Sequence, residues 1–244
     1  MTDSWRYIPL IEASGQLQMS IDLYLLENYR MSQGSSILRF YTWSPVAISL
    51  GRHQYQYPQY WQEIYYQGCH LDIIKRPTGG RAVLHQGDLC YSLITLSPVG
   101  SFRQGYMKFC QFLLEGWDAL GVELTYGKDI NSYVESSGCF GSSTTADLVD
   151  HLGIKRIGNA QLRRKNVILQ QGSMSLNTDE YLYRSIFQQE APKPIQITNE
   201  AIISSLEIAF NKCFQTQLVK QSLQPEEWDH ILSRNDDKLH IVNS

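Results

Sequence analysis

The chain has 244 residues, a net charge of −3 and a pI near 6.1. That balance argues against a general nucleic-acid binder, which would carry a basic surplus. No apolar run approaches the roughly 18 residues that cross a bilayer. The first fifteen residues lack the positive start and apolar core of a signal peptide, so the cytoplasm is the expected compartment. Apolar content of 43% is ample for a buried core, and 15 tyrosines are unusually many. Cys69, Cys90, Cys110, Cys139 and Cys213 are scattered with no C-x-x-C pair, and the six histidines show no i, i+4 spacing. Neither a disulfide framework nor a structural metal is expected.

In chain order, Trp5 to Ile11 predicts a first strand. After a break at Ser14-Gly15, Leu17, Met19, Ile21, Leu23, Leu25 and Leu26 lead into a helix through Asn28. Ser36 to Phe40 alternates as a strand, and YTWSPVAISLGRHQ holds another that ends at Gly51-Arg52-His53-Gln54. Tyr60 to Gly68 predicts a helix closed by glycine, and His70 to Lys75 a strand. Ala82-Val83-Leu84 and Leu89 to Ile94 flank the turn His85-Gln86-Gly87-Asp88 and predict a hairpin. Beyond Ser97-Pro98-Val99-Gly100, Tyr106, Phe109, Cys110, Leu113, Leu114 and Trp117 recur at helical spacing until Gly121. Val167 to Ser173 reads as a strand. APKPIQITNE marks a linker within Gln188 to Ser204, and Thr198 is a suitable N-cap. Ile202, Leu206, Ala209, Phe210, Cys213 and Phe214 form the next stripe, with Cys213 in the core. Pro225 to Ser233 predicts a last helix, and the final ten residues are expected to fray. Strands alternating with helices give an α+β or α/β class without fixing a topology.

Three stretches carry chemistry. In Lys75 to Ile94 the pair Gly79-Gly80 permits unusual backbone angles and close approach of a ligand. Arg76 and Arg81 flank it with permanent charge. The loop Ser136-Ser137-Gly138-Cys139-Phe140-Gly141-Ser142-Ser143 sets a cysteine among small residues rather than in an apolar segment, where a packing cysteine belongs. In Ile154-Lys155-Arg156-Ile157-Gly158-Asn159-Ala160-Gln161 a lysine precedes a small-residue run.

KRPTGGRAVLH resembles the central motif of the lipoate–protein ligase and octanoyltransferase family, and K-x-x-G-x-A-Q, with Lys155, resembles its second signature. The likeness runs from near Trp5 to about Asn177. It implies a two-layer α+β fold, a mixed sheet packed with helices as in biotin-ligase and class II synthetase catalytic domains. Residues 1–190 would form the catalytic domain and 191–244 a helical tail packed on it. Trp43, Pro45, Ser49, Leu50 and Gly51 match a segment that lies beside the family's acyl pocket. SSGCFGSS is similar to the branch that works through an acyl-enzyme, octanoyl-[acyl carrier protein]:protein N-octanoyltransferases. Cys139 is then the nucleophile and Lys155 the second catalytic group. Arg76, Thr78, Gly79, Gly80, Arg81, His85, Gly158 and Ala160 would bind substrate. Arg76 would sit at the polar mouth, and His85 would support the loop rather than act as a base. Gln86 and Lys75 depart from the family pattern, which has an acid and often an arginine there.

The resemblance implies octanoyl transfer from acyl carrier protein to a lysine of a lipoyl domain, such as glycine cleavage H protein or E2 subunits, without a cofactor. A free thiol has a pKa of about 8.5, and a nearby ammonium lowers it. Lys155 could do this and later steady the tetrahedral intermediate. The alternatives are a lipoate ligase using ATP and Mg, an amidotransferase moving octanoyl between carrier proteins, and a non-catalytic carrier-binding relative.

Overall fold

The computed structural model describes residues 4–32, 34–127 and 146–233. In chain order the elements are β1 (Ser4–Ala13), α1 (Gly15–Ser32), β2 (Ile37–Trp43), β3 (Ala47–Leu50), a 3-10 turn (Gln59–Glu63), β4 (Tyr65–Tyr66), β5 (Cys69–His70), β6 (Asp72–Lys75), β7 (Val83–His85) and β8 (Asp88–Leu96). Then come α2 (Phe102–Asp118), β9 (Thr125–Tyr126), β10 (Leu148–Val149), β11 (Lys155–Arg164), β12 (Val167–Ser175), α3 (Glu180–Phe187), α4 (Asn199–Phe214), β13 (Gln217–Lys220) and α5 (Pro225–Ser233).

The large sheet is mixed, in the order β13-β1-β2-β8-β12-β11-β10-β9. β13, β1 and β2 run parallel, and the remaining pairs are antiparallel. Successive side chains of a strand face opposite ways. Leu89, Tyr91 and Leu93 of β8 therefore join Phe40, Ile168 and Met174 beneath α2 and α4, where Phe112, Trp117 and Phe210 fill the layer. Ile94 joins Ile37 and Leu169 on the other face, beneath Ile21, Leu25 and Leu26 of α1 and Ile231 of α5. Ser101 caps α2 in a reciprocal capping box with Gln104, and Thr198 caps α4 through Ala201.

A small second sheet, β6-β3-β7, stands beside the first and is backed by Trp61 and by Leu182, Tyr183, Ile186 and Phe187 of α3. This arrangement corrects three expectations. β7 pairs with β3 and β8 with β2 and β12, so the chain from Ala82 to Ile94 crosses between sheets rather than forming a hairpin. The run from Tyr41 to Leu50 splits at Ser44-Pro45, because proline has no N–H to donate to a ladder. Tyr41 to Trp43 stay in β2, whereas Ala47 to Leu50 enter the second sheet. Tyr60 to Gly68 is not a helix. Gln67 and Gly68 both adopt positive φ, 48° and 89°, and turn the chain into the short β4–β5 pair.

α3 and β13 were not expected from sequence. The tail from residue 191 contributes a strand to the large sheet as well as two helices. Cys213 is half-buried against the α2–α4 core rather than within it.

Candidate active site

The two sheets meet at a seam, and the seam holds a narrow cavity of about 50 Å³ that opens to solvent. The large sheet contributes Cys90, Gly158, Ala160, Gln171 and Ser173. The small sheet and the loop after β6 contribute Ser49, Arg76, Thr78, Gly80, Val83 and His85, while Met19 of α1 and Trp43 complete the wall. Gly80 is solvent-exposed and also lines the cavity, so the cavity opens there.

Arg76 does not sit at the mouth as a docking charge. It is buried, and its guanidinium is committed to the loop itself. Nη1 donates to the Ser49 carbonyl and to Ser49 Oγ, both at 3.0 Å, and Nη2 donates to the carbonyls of Gly79 and Arg81, both at 2.7 Å. A fork of five donors suits this better than an ammonium would. Gly80 holds φ at 93° in this turn, and Gly51 packs so closely on its carbonyl that a Cβ at Gly51 would overlap it. The Gly-Gly pair is thus a shaped wall locked by an internal arginine.

His85 continues that lock. Its Nε2 lies 2.8 Å from Ser49 Oγ, its Nδ1 2.8 Å from Asp88 Oδ2, and its ring stacks on Trp43 with centroids 3.7 Å apart. Because Arg76 can only donate, Ser49 Oγ accepts from it and turns its own proton toward Nε2, leaving Nδ1–H for Asp88. Ser173 Oγ and Cys90 Sγ also donate to Asp88 Oδ2, at 2.8 and 3.1 Å. His85, Asp88 and Cys90 bring three donor atoms within 4.8 Å of one another. Each already holds a hydrogen bond, and burial, reinforced by Asp88, pushes the Cys90 thiol well above its ordinary range. The cluster is a polar brace.

A second network lies behind the cavity. Asp22 and Arg39, both fully buried, pair at 2.7 Å. Asp22 also accepts from Ser92 Oγ at 2.7 Å and Gln171 Nε2 at 2.6 Å. Gln171 Oε1 in turn accepts from Thr78 Oγ1 at 2.7 Å, which ties the cavity wall to the buried pair.

Lys155 opens β11, the strand that also carries Gly158 and Ala160. Gly158 stands three positions further along the strand, about 10 Å away. Its Nζ lies 3.0 Å from Asp147 Oδ1, with both side chains almost fully buried. Asp147 Oδ1 also takes the Asn159 backbone N–H at 3.4 Å, and Asn159 Nδ2 reaches the Ala146 carbonyl at 2.8 Å. The preceding turn is fixed by Asp150. Its Oδ1 accepts from the amides of Leu152 and Ile154, and its Oδ2 from Arg156 Nε at 2.8 Å. Cys139 lies outside the described residues. Of the other cysteines, burial pushes Cys110 up to about 12, and burial followed by Glu115 does the same to Cys213.

Both motif stretches therefore line one cavity, as a shared binding function requires. A model of the lipoyl protein ligase A/B catalytic domain matches residues 14–226. The chain belongs to that family. An octanoyltransferase LipM of Carboxydothermus hydrogenoformans is 34% identical over 186 residues, covering 72% of this chain and 66% of that relative, just under two thirds of its length. Octanoyltransferase LipM of Lysinibacillus sphaericus is 26% identical and aligns over 96% of both chains. Among solved structures, lipoate-protein ligase A bound with ATP superimposes with a TM-score of 0.78 at 17% identity, covering 96% of this chain and 95% of that one. The bi-partite lipoate protein ligase of Thermoplasma acidophilum gives 0.77 at 17%, covering 96% and 93%. These establish the mixed-sheet fold of the family. Sequence reasoning had assigned no site role to Asp147, Asp22, Asp88 or Gln171. Asp147 and Asp22 are single acids among ordinary residues, and only the fold gives them partners.

Proposed function

We propose that this chain transfers an octanoyl group from a carrier-protein thioester to the lysine of a lipoyl domain, through a thioester on Cys139. The observation that carries the reading is the seam cavity, lined by Arg76, Thr78 and Gly80 from one family motif and by Gly158 and Ala160 from the other. Its exposed wall is largely apolar, which suits an acyl chain. Relatives at 34% identity bearing the name octanoyltransferase support the choice of acyl group.

In the first half-reaction the Cys139 thiolate attacks the donor carbonyl and the carrier thiol leaves with a proton. In the second, the acceptor amine attacks the acyl-enzyme, loses its proton and releases the Cys139 thiol. Lys155, held in a buried ion pair, is suited to favour negative charge on the attacking sulfur and on the intermediate's oxygen. Asp147 would orient it. Glycine cleavage H protein and E2 subunits are the proposed acceptors.

Intact-protein mass after incubation with octanoyl-acyl carrier protein, without ATP, tests this directly. A hydroxylamine-sensitive octanoyl adduct on the wild type and none on Cys139→Ala is the expected result. Modification of a lipoyl domain that requires ATP and free lipoate would overturn it in favour of a ligase.

A further inference from the structure

The closed end of the seam cavity has a wall that the chemistry above leaves unused. Tyr41, Cys90, Ser173 and Gly158 stand side by side across β2, β8, β12 and β11, and all of them line the cavity. Burial deepens along that row, from half-buried Gly158 to Cys90 and Tyr41, 1% and 2% exposed. The cavity therefore enters over β11 and runs across the strands toward β2. Neighbouring strands lie about 4.8 Å apart, so Cys90 is about 10 Å from Gly158. An extended octanoyl chain is of that length, and Met19 of α1 stands at its far end. Met19 is 1% exposed and packs with Tyr41, Trp43 and Cys90. A Cβ at Gly15, one helical turn earlier, would overlap the Trp43 ring, so that glycine lets α1 settle close enough to bring Met19 to the cavity.

The space itself is too small for the substrate. An apolar cavity of about 150 Å³ takes one benzene ring, whereas this one is about 50 Å³. A wall side chain must move before an acyl chain enters, and most are pinned. Trp43 stacks on His85, the Arg39 guanidinium lies 4.2 Å over the Tyr41 ring, and Cys90 is tied to Asp88. Gln171 is held from both ends by Asp22 and Thr78. Met19 is held far less: Gln171 Nε2 approaches its sulfur at 3.4 Å, and a thioether is a weak acceptor. Its unbranched chain has three rotatable bonds and adapts to irregular space.

We propose that Met19 is the yielding end-stop of the acyl cavity. It swings aside to admit the chain, and the bulk it keeps there limits the length accepted. This rests on the transferase reading for the octanoyl group and adds the residue that sets the chain length.

The test supplies hexanoyl, octanoyl, decanoyl and dodecanoyl thioesters of one acyl carrier protein. It measures kcat/KM for transfer to a lipoyl domain by wild type, Met19→Ala and Met19→Leu. A methylene in an apolar pocket is worth about tenfold or more in discrimination, so Met19→Ala should raise the decanoyl-to-octanoyl ratio at least about tenfold. Retained hexanoyl transfer shows that the variant is folded. Met19→Leu conserves volume and is well tolerated, but it loses a torsion, and its octanoyl-to-hexanoyl ratio should fall. Length ratios equal to those of wild type, with all donors falling together, would overturn the proposal; the leucine variant decides if the alanine variant does not fold. Calorimetric titration with free fatty acids of the same lengths keeps the two readings apart. If wild type transfers no acyl group, the transferase reading falls and the fatty acids decide the end-stop. A shift to longer bound chains in Met19→Ala upholds it, and no shift overturns it.

Discussion

Substituting Asp22→Asn removes one charge from the most deeply buried ion pair behind the cavity. Asparagine keeps the size but only one acceptor oxygen, so with Oδ1 toward Arg39 and Ser92 its NH2 faces the Gln171 donor. Arg39 then remains fully buried beside no carboxylate at 2.7 Å. Breaking a buried pair by removing one partner costs about 3–5 kcal/mol. For a chain of this size each kcal/mol lowers Tm by about 2–4 °C, so the expected drop is about 6–20 °C. Differential scanning calorimetry reads it. The companion Asp22→Leu/Arg39→Met removes both charges and should recover much of the loss, since well-packed apolar replacements of a buried pair are often neutral. Thr78→Val in the Asp22→Asn background should add less than it does in wild type, because the chain through Gln171 is already weakened. A Tm within 2 °C of wild type for Asp22→Asn, measured against an unchanged fold, would refute the claim that this pair anchors the cavity wall.

Asp147→Asn should reduce kcat of acyl transfer by about 10²-fold with little change in KM, because a misplaced catalytic group costs about that much. Partial recovery by Asp147→Glu would separate positioning from gross damage, and unchanged kcat would discard the role. Gly51→Ala forces the Gly80 carbonyl away and should destabilise by about 1–3 kcal/mol, as overpacking does; urea denaturation measures this, with acyl transfer falling in parallel. Burial alone would raise the Asp150 carboxyl, but the hydrogen bond from Arg156 and the Ile154 and Leu152 amides hold it below its usual range. Its contribution is therefore complete above the unfolded pKa and lost as pH falls through the lower folded value. Asp150→Asn should show reduced stability at neutral pH and a shallower acid limb in a pH series of Tm; an unchanged limb would contradict this assignment.

The elements most readily read from sequence were those whose apolar pattern is set by one covering layer. The stripe on α2 and the cap at Thr198 are local signals, and local geometry realises them. Strand partners were harder to read, because β7 and β8 carry the same apolar character whether they pair with each other or cross between sheets. The Tyr60 to Gly68 run misled because aromatic residues and a closing glycine suit a helix end and a tight turn equally. α3 left a usable trace, with Asp179 as N-cap before Leu182, Tyr183, Ile186 and Phe187 at helical spacing. Arg76 shows the limit most clearly. Its charge and its place beside Gly-Gly pointed to the cavity, whose wall it lines, but gave no hint that Ser49, 27 positions earlier, and the Gly79 and Arg81 carbonyls hold its guanidinium. The family resemblance singled out Lys155, yet its ion-pair partner Asp147 needed the pairing of β10 with β11 to become visible.

The strand added by the tail bears on how the molecule could be divided. β13 pairs with β1 from Ser4 to Tyr7, and Arg6 grips Glu227 of α5 with two hydrogen bonds of 2.7 and 2.6 Å. Phe210 of α4 meets Phe112 of α2 and Trp5 of β1 edge-on, at 5.1 and 4.9 Å. A chain cut after residue 190 would lose all of these together. It would leave β1 as an open edge, a template for pairing with another copy, and would bare the aromatic face of α2. The first 190 residues, although they carry both motifs, would thus be a poor minimal enzyme, prone to self-association before they met a substrate.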